Sequence, residues 1–227
     1  MTAYFNANAK QAESFEPVRA VVAARPGAYR NGLKRALDVL LILLALPLVA
    51  LVILVLALLV KLDGGPAFYT QWRVGRQGRL YRMWKLRSMV PGAEARLQAH
   101  LDSDPLLRAE WDSTQKLKCD PRITRFGRFL RKSSMDELPQ LWNVLVGDMS
   151  LVGPRPMMPE QRVFYPGVAY FFLRPGITGF WQVSQRNDST FAERAGFDDR
   201  YYSDLSLATD AKLLLATVRV VVHGTGH

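Results

Sequence analysis

The chain has 227 residues, of which 49% are hydrophobic, and 30 Lys and Arg residues against 20 Asp and Glu residues give a formal net charge of +10. This apolar content excludes a disordered chain, and 16 Gly and 13 Pro are too few for a collagen-like or low-complexity sequence. The single cysteine, Cys119, excludes an intramolecular disulfide, and no Cys and His cluster has zinc-site spacing.

The N-terminal part of the chain contains one extreme apolar segment. Residues 1–32 show no clear periodicity and predict an arm, flexible or loosely helical. The segment from Val39 to Val60 then has 22 residues without a charge. As a helix it would reach about 33 Å, enough to cross a bilayer, and it is too long for a cleaved signal. A buried core helix is the alternative, but long core helices usually carry a polar stripe. We predict a membrane helix over residues 33–62.

Charge and a proline decide the predicted topology of this helix. Basic residues flank it on both sides, at Arg25, Arg30, Lys34, Arg35, Lys61, Arg73, Arg76, Arg79 and Arg82. Basic flanks prefer the cytoplasmic side, so a single crossing would leave one cluster outside. Pro47, near the middle, removes the N–H that would bond the carbonyl of Leu43 and favours a kink. The pattern favours a re-entrant helix kinked at Pro47 over a spanning helix with an ordinary kink.

The remaining residues, 63–227, predict one globular domain. Residues 67–89 form two aromatic and basic runs around Gly75 and Gly78, which is typical of a short β-hairpin. Helical patterns follow at 91–118 with a break near 104–105, at 137–147, and at 201–222. The predicted fold class is α+β, mostly helical: a small monotopic membrane protein with a re-entrant N-terminal helix and a β-hairpin.

The excess of basic residues narrows the class of partner. A basic chain binds either nucleic acid or anionic lipid, and the apolar segment favours membrane headgroups. No helix-turn-helix, zinc finger or aromatic RNA-binding signature is present, so we expect no nucleic acid. Arginine forks bind phosphate oxygens, and several that converge would hold a diphosphate. For any single arginine, a solvated surface charge is an equally good interpretation.

The sharpest local pattern is RKSSMDELPQLWN at 131–143. Pro139 is tolerated only in the first helical turn, so we predict a helix that begins at 136–138. Ser133 and Ser134 precede it and are typical N-cap residues.

Asp136 and Glu137 lie at this predicted helix start, where the helix dipole favours negative charge. One interpretation is a simple capping arrangement. The other is catalytic, because an ionised carboxylate can attack phosphorus when cations neutralise a diphosphate. An adjacent carboxylate can hold Mg²⁺ together with substrate phosphate oxygens. Local chemistry leaves both interpretations open.

Five stretches in this order resemble the bacterial sugar transferases, the monotopic polyprenyl-phosphate phosphoglycosyltransferase family. They are KRALDVLLILLALPL (34–48), QWRVGRQGRLYRMWKLRSM (71–89), DPRITRFGRFLRKSSMDELPQLWNVLVGDMSLVGPRP (120–156), LRPGITGFWQVSQRND (173–188) and FDDRYYSDLSLATDAKLL (197–214). Motifs this long, in order, are far more specific than one short motif.

The resemblance implies transfer of a sugar-1-phosphate from a UDP-sugar to undecaprenyl phosphate, with release of UMP. It assigns Asp136 as the nucleophile that forms an aspartyl-phosphosugar and associates Glu137 with Mg²⁺. Asp210 matches an acidic family position without a defined role. The resemblance also implies that five basic residues bind the diphosphate and the lipid phosphate: Lys85, Arg87, Arg131, Arg155 and Arg174.

The size of the chain resembles short exopolysaccharide-initiating enzymes that transfer galactose- or glucose-1-phosphate. The resemblance places the protein in the bacterial inner membrane, with the catalytic domain 63–227 facing the cytoplasm. Two other classes are a catalytically silent membrane-bound regulator or adaptor, against which the intact Asp136–Glu137 pair argues, and a membrane-anchored nucleic-acid binder, against which the absence of a base-stacking or groove-reading motif argues. The sequence leaves open which sugar is transferred and whether the chain forms a homo-oligomer.

Overall fold

A computed structural model of the protein describes residues 27–114, 117, 120–184 and 190–222. The helices in this part are α1 Lys34–Lys61, α2 Ala93–Ser103, α3 Pro105–Thr114, α4 Arg125–Lys132, α5 Gln140–Val146, α6 Ala169–Phe172, α7 Phe180–Val183, α8 Arg194–Asp204 and α9 Leu207–Val222. The strands are β1 Phe68–Val74, β2 Leu80–Leu86, β3 Ser150–Val152 and β4 Gly176–Thr178. The predicted mostly helical fold with a β1–β2 hairpin is confirmed. Most of the predicted arm, residues 1–26, lies outside the described residues.

Helix α1 carries the apolar segment. Among the described residues it is the one helix long and apolar enough to cross a membrane, and its most apolar window is 11% buried. Leu44 and Leu48 are 72% and 70% exposed. A core helix would hide such side chains, so their exposure favours lipid contact. Pro47 lies inside the continuous helix, and the predicted kink and re-entrant topology stay predictions.

The described chain divides into two compact units built from alternating segments. Unit 1 contains the described residues of Met1–Leu46, Thr70–Trp84 and Gln140–His223. Unit 2 contains those of Pro47–Tyr69 and Lys85–Pro139. The division into an arm at 1–32, a membrane helix at 33–62 and a catalytic domain at 63–227 follows sequence order and stays a prediction.

Unit 1 holds the N-terminal half of α1. Ile42 is 2% exposed and packs with Tyr81 and Met83 of β2 and with Val144 of α5. The Ser150 hydroxyl donates a 2.6 Å hydrogen bond to the Asp38 carboxylate. This half of the apolar helix is therefore fixed by both apolar packing and a buried polar contact.

The parallel pairing of β3 with β4 in unit 1 was not predicted. Ser150 lies opposite Gly176 and Val152 opposite Thr178. Three-residue strands are too short to show alternation. Glycine makes the pairing possible, since a Cβ on Gly176 would lie 2.1 Å from the Gly153 nitrogen.

The helical pattern at 201–222 is corrected to two helices. Helix α8 ends at Asp204 and α9 begins at Leu207. The Ser206 hydroxyl accepts a hydrogen bond from the Thr209 backbone N–H, and the Ser206 carbonyl accepts one from the Asp210 N–H. Ser206 thus starts a new helix inside what had been predicted as one.

Unit 2 packs α4 and the end of β2 against the C-terminal half of α1. Its core joins Leu56, Ala57 and Val60 of α1 to Leu86 and Leu130.

Helix α4 approaches the chain after β2 at one glycine. A Cβ on Gly127 would lie 2.0 Å from the Ser88 carbonyl oxygen, so only glycine fits there. The Thr124 side chain caps this helix by accepting a hydrogen bond from the Gly127 N–H. The close approach brings the C-terminal residues of α4 next to the residues that follow β2.

Candidate active site

The carboxylate pair lies in a tight turn ahead of helix α5. Asp136 and Glu137 belong to a single 3₁₀ turn, Met135–Glu137, and α5 begins only at Gln140. The predicted helix start at 136–138 is therefore corrected by a few residues. The proline at 139 cannot donate a backbone hydrogen bond, which lets the first turn stay 3₁₀.

The two serines ahead of the pair do not cap a helix with their side chains. The Ser133 hydroxyl donates back to the Phe129 carbonyl at 2.8 Å. Ser134 makes no side-chain cap bond and has φ 56°, the left-handed region. The predicted N-caps are wrong because Ser133 closes α4, and Ser134 reverses the chain so that Asp136 turns inward.

Lys85 joins the pair from strand β2. Its Nζ lies 2.7 Å from Glu137 Oε1 and 3.5 Å from Asp136 Oδ2. Asp136 is 7% exposed, whereas the side chains of Lys85 and Glu137 keep 23% and 28% of their surface exposed. The arrangement is a buried carboxylate beside a solvent-accessible ion pair.

Burial raises the pKa of Asp136, the neighbouring Glu137 carboxylate adds to this effect, and Lys85 and Arg131 oppose it. We predicted that a helix dipole keeps Asp136 ionised. In the structure the carboxylate lies in a one-turn 3₁₀ segment, and Lys85 of β2 and Arg131 of α4 are the groups that lower its pKa. Ionisation of Asp136 is therefore favoured by side chains from two other elements, β2 and α4.

Arg131 is held in place before any ligand arrives. Its Nε donates a 2.9 Å hydrogen bond to the Ser88 hydroxyl. Burial lowers the pKa of Arg131, and Asp136 and Asp120 counter this effect. Ser88 and Asp120 were not predicted as site residues, and their contribution is to orient and balance this guanidinium.

Arg87 is engaged with the backbone at the end of helix α1. Its guanidinium donates to four carbonyl oxygens: those of Val60, Gly64, Pro66 and Met89. The Val60 carbonyl belongs to the last turn of α1, and the other three carbonyls belong to the turn after α1 and to the chain after β2. The predicted phosphate contact of Arg87 stays a prediction, and it would compete with four existing hydrogen bonds.

Arg155 and Arg174 both lie in unit 1. The Arg155 guanidinium lies 5.0 Å from the Trp181 ring centroid. The Arg174 Nε donates a 2.9 Å hydrogen bond to the Gly147 carbonyl, and burial lowers the pKa of Arg174. Unit 2 brings together the other predicted site residues, which are Lys85, Arg87, Arg131, Asp136 and Glu137.

Asp210 is buried in unit 1 with a full set of partners. Its carboxylate accepts hydrogen bonds from the Tyr29 hydroxyl at 2.6 Å, the Lys34 Nζ at 2.6 Å and the Tyr201 hydroxyl at 2.7 Å. This set ties α9 to the start of α1. Asp210 therefore has a structural role.

The carboxylate pair can be tested against the needs of Mg²⁺. Within the described ranges, no three His, Cys, Asp or Glu residues group as metal ligands. Mg²⁺ binds proteins through one or two carboxylates and completes its shell with water and phosphate oxygens. Asp136 and Glu137 are adjacent, and Glu137 is partly exposed. The pair fits Mg²⁺ when substrate phosphate oxygens supply further ligands.

Comparison with known proteins adds independent evidence. The family model described as bacterial sugar transferase matches residues 29–224. A UDP-galactose-lipid carrier transferase of Erwinia amylovora is 47% identical over 86% of this chain and 41% of its own length. An undecaprenyl-phosphate galactose phosphotransferase of Salmonella typhimurium is 46% identical with the same coverage. The exopolysaccharide production protein ExoY of Sinorhizobium fredii is 42% identical over 85% of this chain and 87% of its own length.

The chain thus spans about two fifths of the length of the first two relatives and most of the third. The family match includes α1, the hairpin, the carboxylate pair and the residues of both units. The chain belongs to the bacterial sugar transferase family.

Proposed function

We propose that the chain transfers a sugar-1-phosphate from a UDP-sugar to undecaprenyl phosphate through a covalent intermediate on Asp136. The observation that carries the proposal is the buried Asp136 carboxylate, with the Lys85 ammonium 3.5 Å away and Arg131 fixed nearby by Ser88. A carboxylate nucleophile for phosphorus needs cations that neutralise the incoming phosphates. Membership of the bacterial sugar transferase family supports the proposal that these groups act in phosphoryl transfer.

In the first step a carboxylate oxygen of Asp136 attacks the phosphorus that bears the sugar. An O–P bond forms, the P–O bond to UMP breaks, and UMP leaves with the bond electrons. Lys85 orients the carboxylate and neutralises charge as the phosphate approaches. Arg131, already held by Ser88, offers its fork to the phosphate oxygens at little ordering cost.

In the second step an oxygen of undecaprenyl phosphate attacks the same phosphorus. The bond to Asp136 breaks, and the carboxylate returns to its ionised state beside Lys85. One site thereby serves a water-soluble donor and a lipid acceptor in turn. Glu137 is the residue that would hold Mg²⁺, which supplies charge neutralisation on a bound diphosphate.

We also propose that α1 re-enters the membrane and leaves on the side where it began, with a break at Pro47. Basic residues flank the apolar segment on both sides, with Lys34 and Arg35 before it and Lys61, Arg73 and Arg76 after it. Basic flanks prefer the cytoplasmic side, so a single crossing would leave one of the two clusters outside. This charge pattern, together with Pro47 inside the segment, supports re-entry at the cytoplasmic face of the inner membrane.

The names of the relatives support the substrate class. Two of them name galactose with a lipid or undecaprenyl-phosphate carrier, and another names UDP-glucose and glucose-1-phosphate transfer. We therefore propose galactose or glucose as the sugar, in the initiation of an exopolysaccharide or another surface glycoconjugate.

The reaction is tested by UMP release from a panel of UDP-sugars, with Mg²⁺, and with and without undecaprenyl phosphate. We expect continuous release with the lipid, and without it a burst of about one UMP per protein together with a phosphosugar adduct in the intact mass. Absence of UMP with every sugar would favour the silent regulator. Lipid-dependent release with neither burst nor adduct would overturn the covalent intermediate.

The topology is tested with single cysteines in a Cys119→Ser background. Ala28→Cys precedes α1 and Ala95→Cys lies on α2, and both positions are exposed. We expect an impermeant thiol reagent to label both only after the cytoplasmic face is opened. Labelling of the two positions from opposite faces would show a spanning helix.

A further inference from the structure

The turn of the chain that follows helix α1 encloses the guanidinium of Arg87, a residue that is only 9% exposed. The Nη2 of Arg87 donates hydrogen bonds to the carbonyls of Val60, at 2.9 Å, and Gly64. The Nε donates to the Pro66 carbonyl at 2.7 Å. Val60 lies in the last turn of α1, and the other two acceptors lie between α1 and β1. All of these residues belong to unit 2, so one buried cation joins the end of α1 to the chain after β2.

Two glycines give this turn its shape. Gly64 and Gly65 have φ values of 77° and 80°, in the left-handed region that favours glycine. A Cβ on Gly65 would lie 3.0 Å from the Pro91 Cγ and 3.9 Å from the Arg87 Cζ. The backbone N–H of Arg87 also donates to the Ala67 carbonyl at 2.9 Å. Both the side chain and the backbone of Arg87 therefore hold this turn.

The guanidinium of Arg87 has little donor capacity left for a phosphate. A fourth hydrogen bond runs from Nη1 to the Met89 carbonyl at 3.1 Å, so four of the five N–H groups donate to carbonyls. A bidentate phosphate contact needs two N–H groups. The positive charge also lies at the C-terminal end of a 28-residue helix, where the helix dipole is negative. These contacts favour a permanent attachment to α1 over the binding of a substrate phosphate.

The residues on either side of Arg87 reach the candidate active site. Lys85 pairs with the carboxylates of the site, and the Ser88 hydroxyl accepts the 2.9 Å hydrogen bond from Arg131. Between them, Leu86 packs against the last turns of α1 in the core of unit 2. The same short segment, residues 85–88, therefore holds both the end of α1 and the two cations of the site.

We propose that Arg87 is a positioning residue: it locks the end of the apolar helix α1 to the cations of the site and so fixes the distance of the carboxylate pair from the lipid headgroups. A lipid acceptor presents its phosphate at headgroup depth, whereas a UDP-sugar reaches the site from water. A fixed distance between α1 and the site therefore matters for the acceptor more than for the donor. The effect on the acceptor rests on the proposed transfer reaction, but the lock itself can be measured without any activity.

The lock is tested by electron paramagnetic resonance on the full chain in lipid nanodiscs, in a Cys119→Ser background. Spin labels at Leu58→Cys, on the exposed face of α1, and at Arg128→Cys, exposed on α4, report the distance from α1 to the site. We expect one narrow distance, which Arg87→Gln replaces with a broad distribution. Arg96→Gln, at an exposed arginine of the same unit, should keep the narrow distance. An unchanged distribution in Arg87→Gln would overturn the lock.

Arg87→Lys tests the effect on the reaction, because it keeps the positive charge and loses the fork. One ammonium group cannot reach carbonyls on several sides, but it can still bind a phosphate as a point charge. We expect the KM for the UDP-sugar to stay within about twofold of the wild type. Transfer to undecaprenyl phosphate should fall at least about 10-fold, because the acceptor is misplaced. A raised KM for the UDP-sugar with normal transfer to the lipid would assign Arg87 to the donor phosphates and overturn the inference.

A second variant disturbs the turn and leaves the guanidinium in place. Gly64→Val strains a backbone at φ 77°, and no heavy atom lies within 4 Å of the added Cβ. We expect the same broad distance distribution and the same loss of lipid transfer as in Arg87→Lys. Gly92→Val is the matched control, because Gly92 has φ 71°, equally open surroundings and a place in the same unit.

The outcomes separate the two proposals. Normal lipid transfer in Gly64→Val, together with its loss in Arg87→Lys, would assign Arg87 to the lipid phosphate and overturn the positioning role. A chain that releases no UMP from any UDP-sugar would contradict the proposed function alone, since the distance measurement still decides whether Arg87 locks α1 to the site.

Discussion

Each unit buries one of the two aspartates that the family resemblance singles out, and the two carboxylates have opposite surroundings. Asp210, in unit 1, is 4% exposed and accepts three short hydrogen bonds, from Tyr29, Lys34 and Tyr201. Asp136, in unit 2, is 7% exposed, and its ion pair with Lys85 measures 3.5 Å.

The difference shows how a buried carboxylate becomes structural or reactive. Three charge-assisted or hydroxyl donors stabilise the ground state of Asp210 and leave little of its acceptor capacity for a substrate. Burial removes the Asp136 carboxylate from water and raises its pKa, and fewer contacts compensate for the lost hydration than at Asp210. A carboxylate in such surroundings is still able to react when cations and a phosphate group reach it.

The largest expected effect is on activity, from Asp136→Asn. We expect turnover to fall at least about 10³-fold, because the amide cannot attack phosphorus. The covalent adduct should disappear, while the melting temperature stays close to that of the wild type because the shape is kept. Asp102→Asn, at a carboxylate that is 58% exposed in the same unit, is the control. Persistent turnover in Asp136→Asn would remove this residue from the nucleophile role.

Asp210→Asn should show the opposite pattern, a large loss of stability. It removes the 2.6 Å ion pair of the Lys34 ammonium, which is 13% exposed, and leaves this cation only the longer 3.8 Å pair with Asp38. Breaking a buried ion pair costs about 3–5 kcal/mol, which denaturant unfolding in detergent would measure. Turnover per folded molecule should be retained. Normal stability with lost turnover would mean that Asp210 acts in the reaction.

Lys85→Met should change the pH dependence of the reaction at Asp136. Lys85 lowers the pKa of this carboxylate, so its removal raises that pKa, and the acid limb of the pH–rate profile moves to higher pH. We also expect kcat to fall about 10²-fold from lost charge stabilisation. The exposed Lys212→Met serves as control. A drop in kcat with the acid limb unmoved would show that Lys85 does not face the ionising group.

The smallest expected effect concerns the backbone turn that precedes Asp136. Ser134 has φ 56°, a region that costs a non-glycine residue about 1 kcal/mol. Ser134→Gly relieves this cost but increases the conformational entropy of the unfolded chain. Because the two effects oppose each other, the free energy of unfolding should change by less than about 1 kcal/mol. Ser134→Val should destabilise by more, because a branched side chain resists this conformation. Equal stability of the two variants would show that the turn is not strained.

Much of the fold could be predicted because local patterns carry it. Helix α1 is uninterrupted apolar sequence, and the β1–β2 hairpin is marked by glycines between aromatic runs. The β3–β4 pair and the break at Ser206 between α8 and α9 were missed. Three residues show no periodicity, and a serine cap inside an apolar pattern is a weak signal.

The candidate site was predictable in composition and not in geometry. Asp136 and Glu137 stand together in the sequence, but Lys85 and Glu137, which form the 2.7 Å ion pair, are 52 residues apart. Nothing local indicated that Arg87 would close the end of α1 or that Arg194 would stack on Trp181. Such contacts depend on which elements pack together, and one sequence does not encode that in any short window.

By itself, the amino-acid sequence determined the apolar helix, the mostly helical class and the motifs of the family, because hydrophobic runs and residue order are local properties. The tertiary structure alone decided which partners each buried charge has. It placed Asp136 beside Lys85, gave Asp210 three donors, and left Asp198 between Tyr165 and two arginines. The free energy of a buried charge depends on the partners that packing brings to it, and these come from distant parts of the chain.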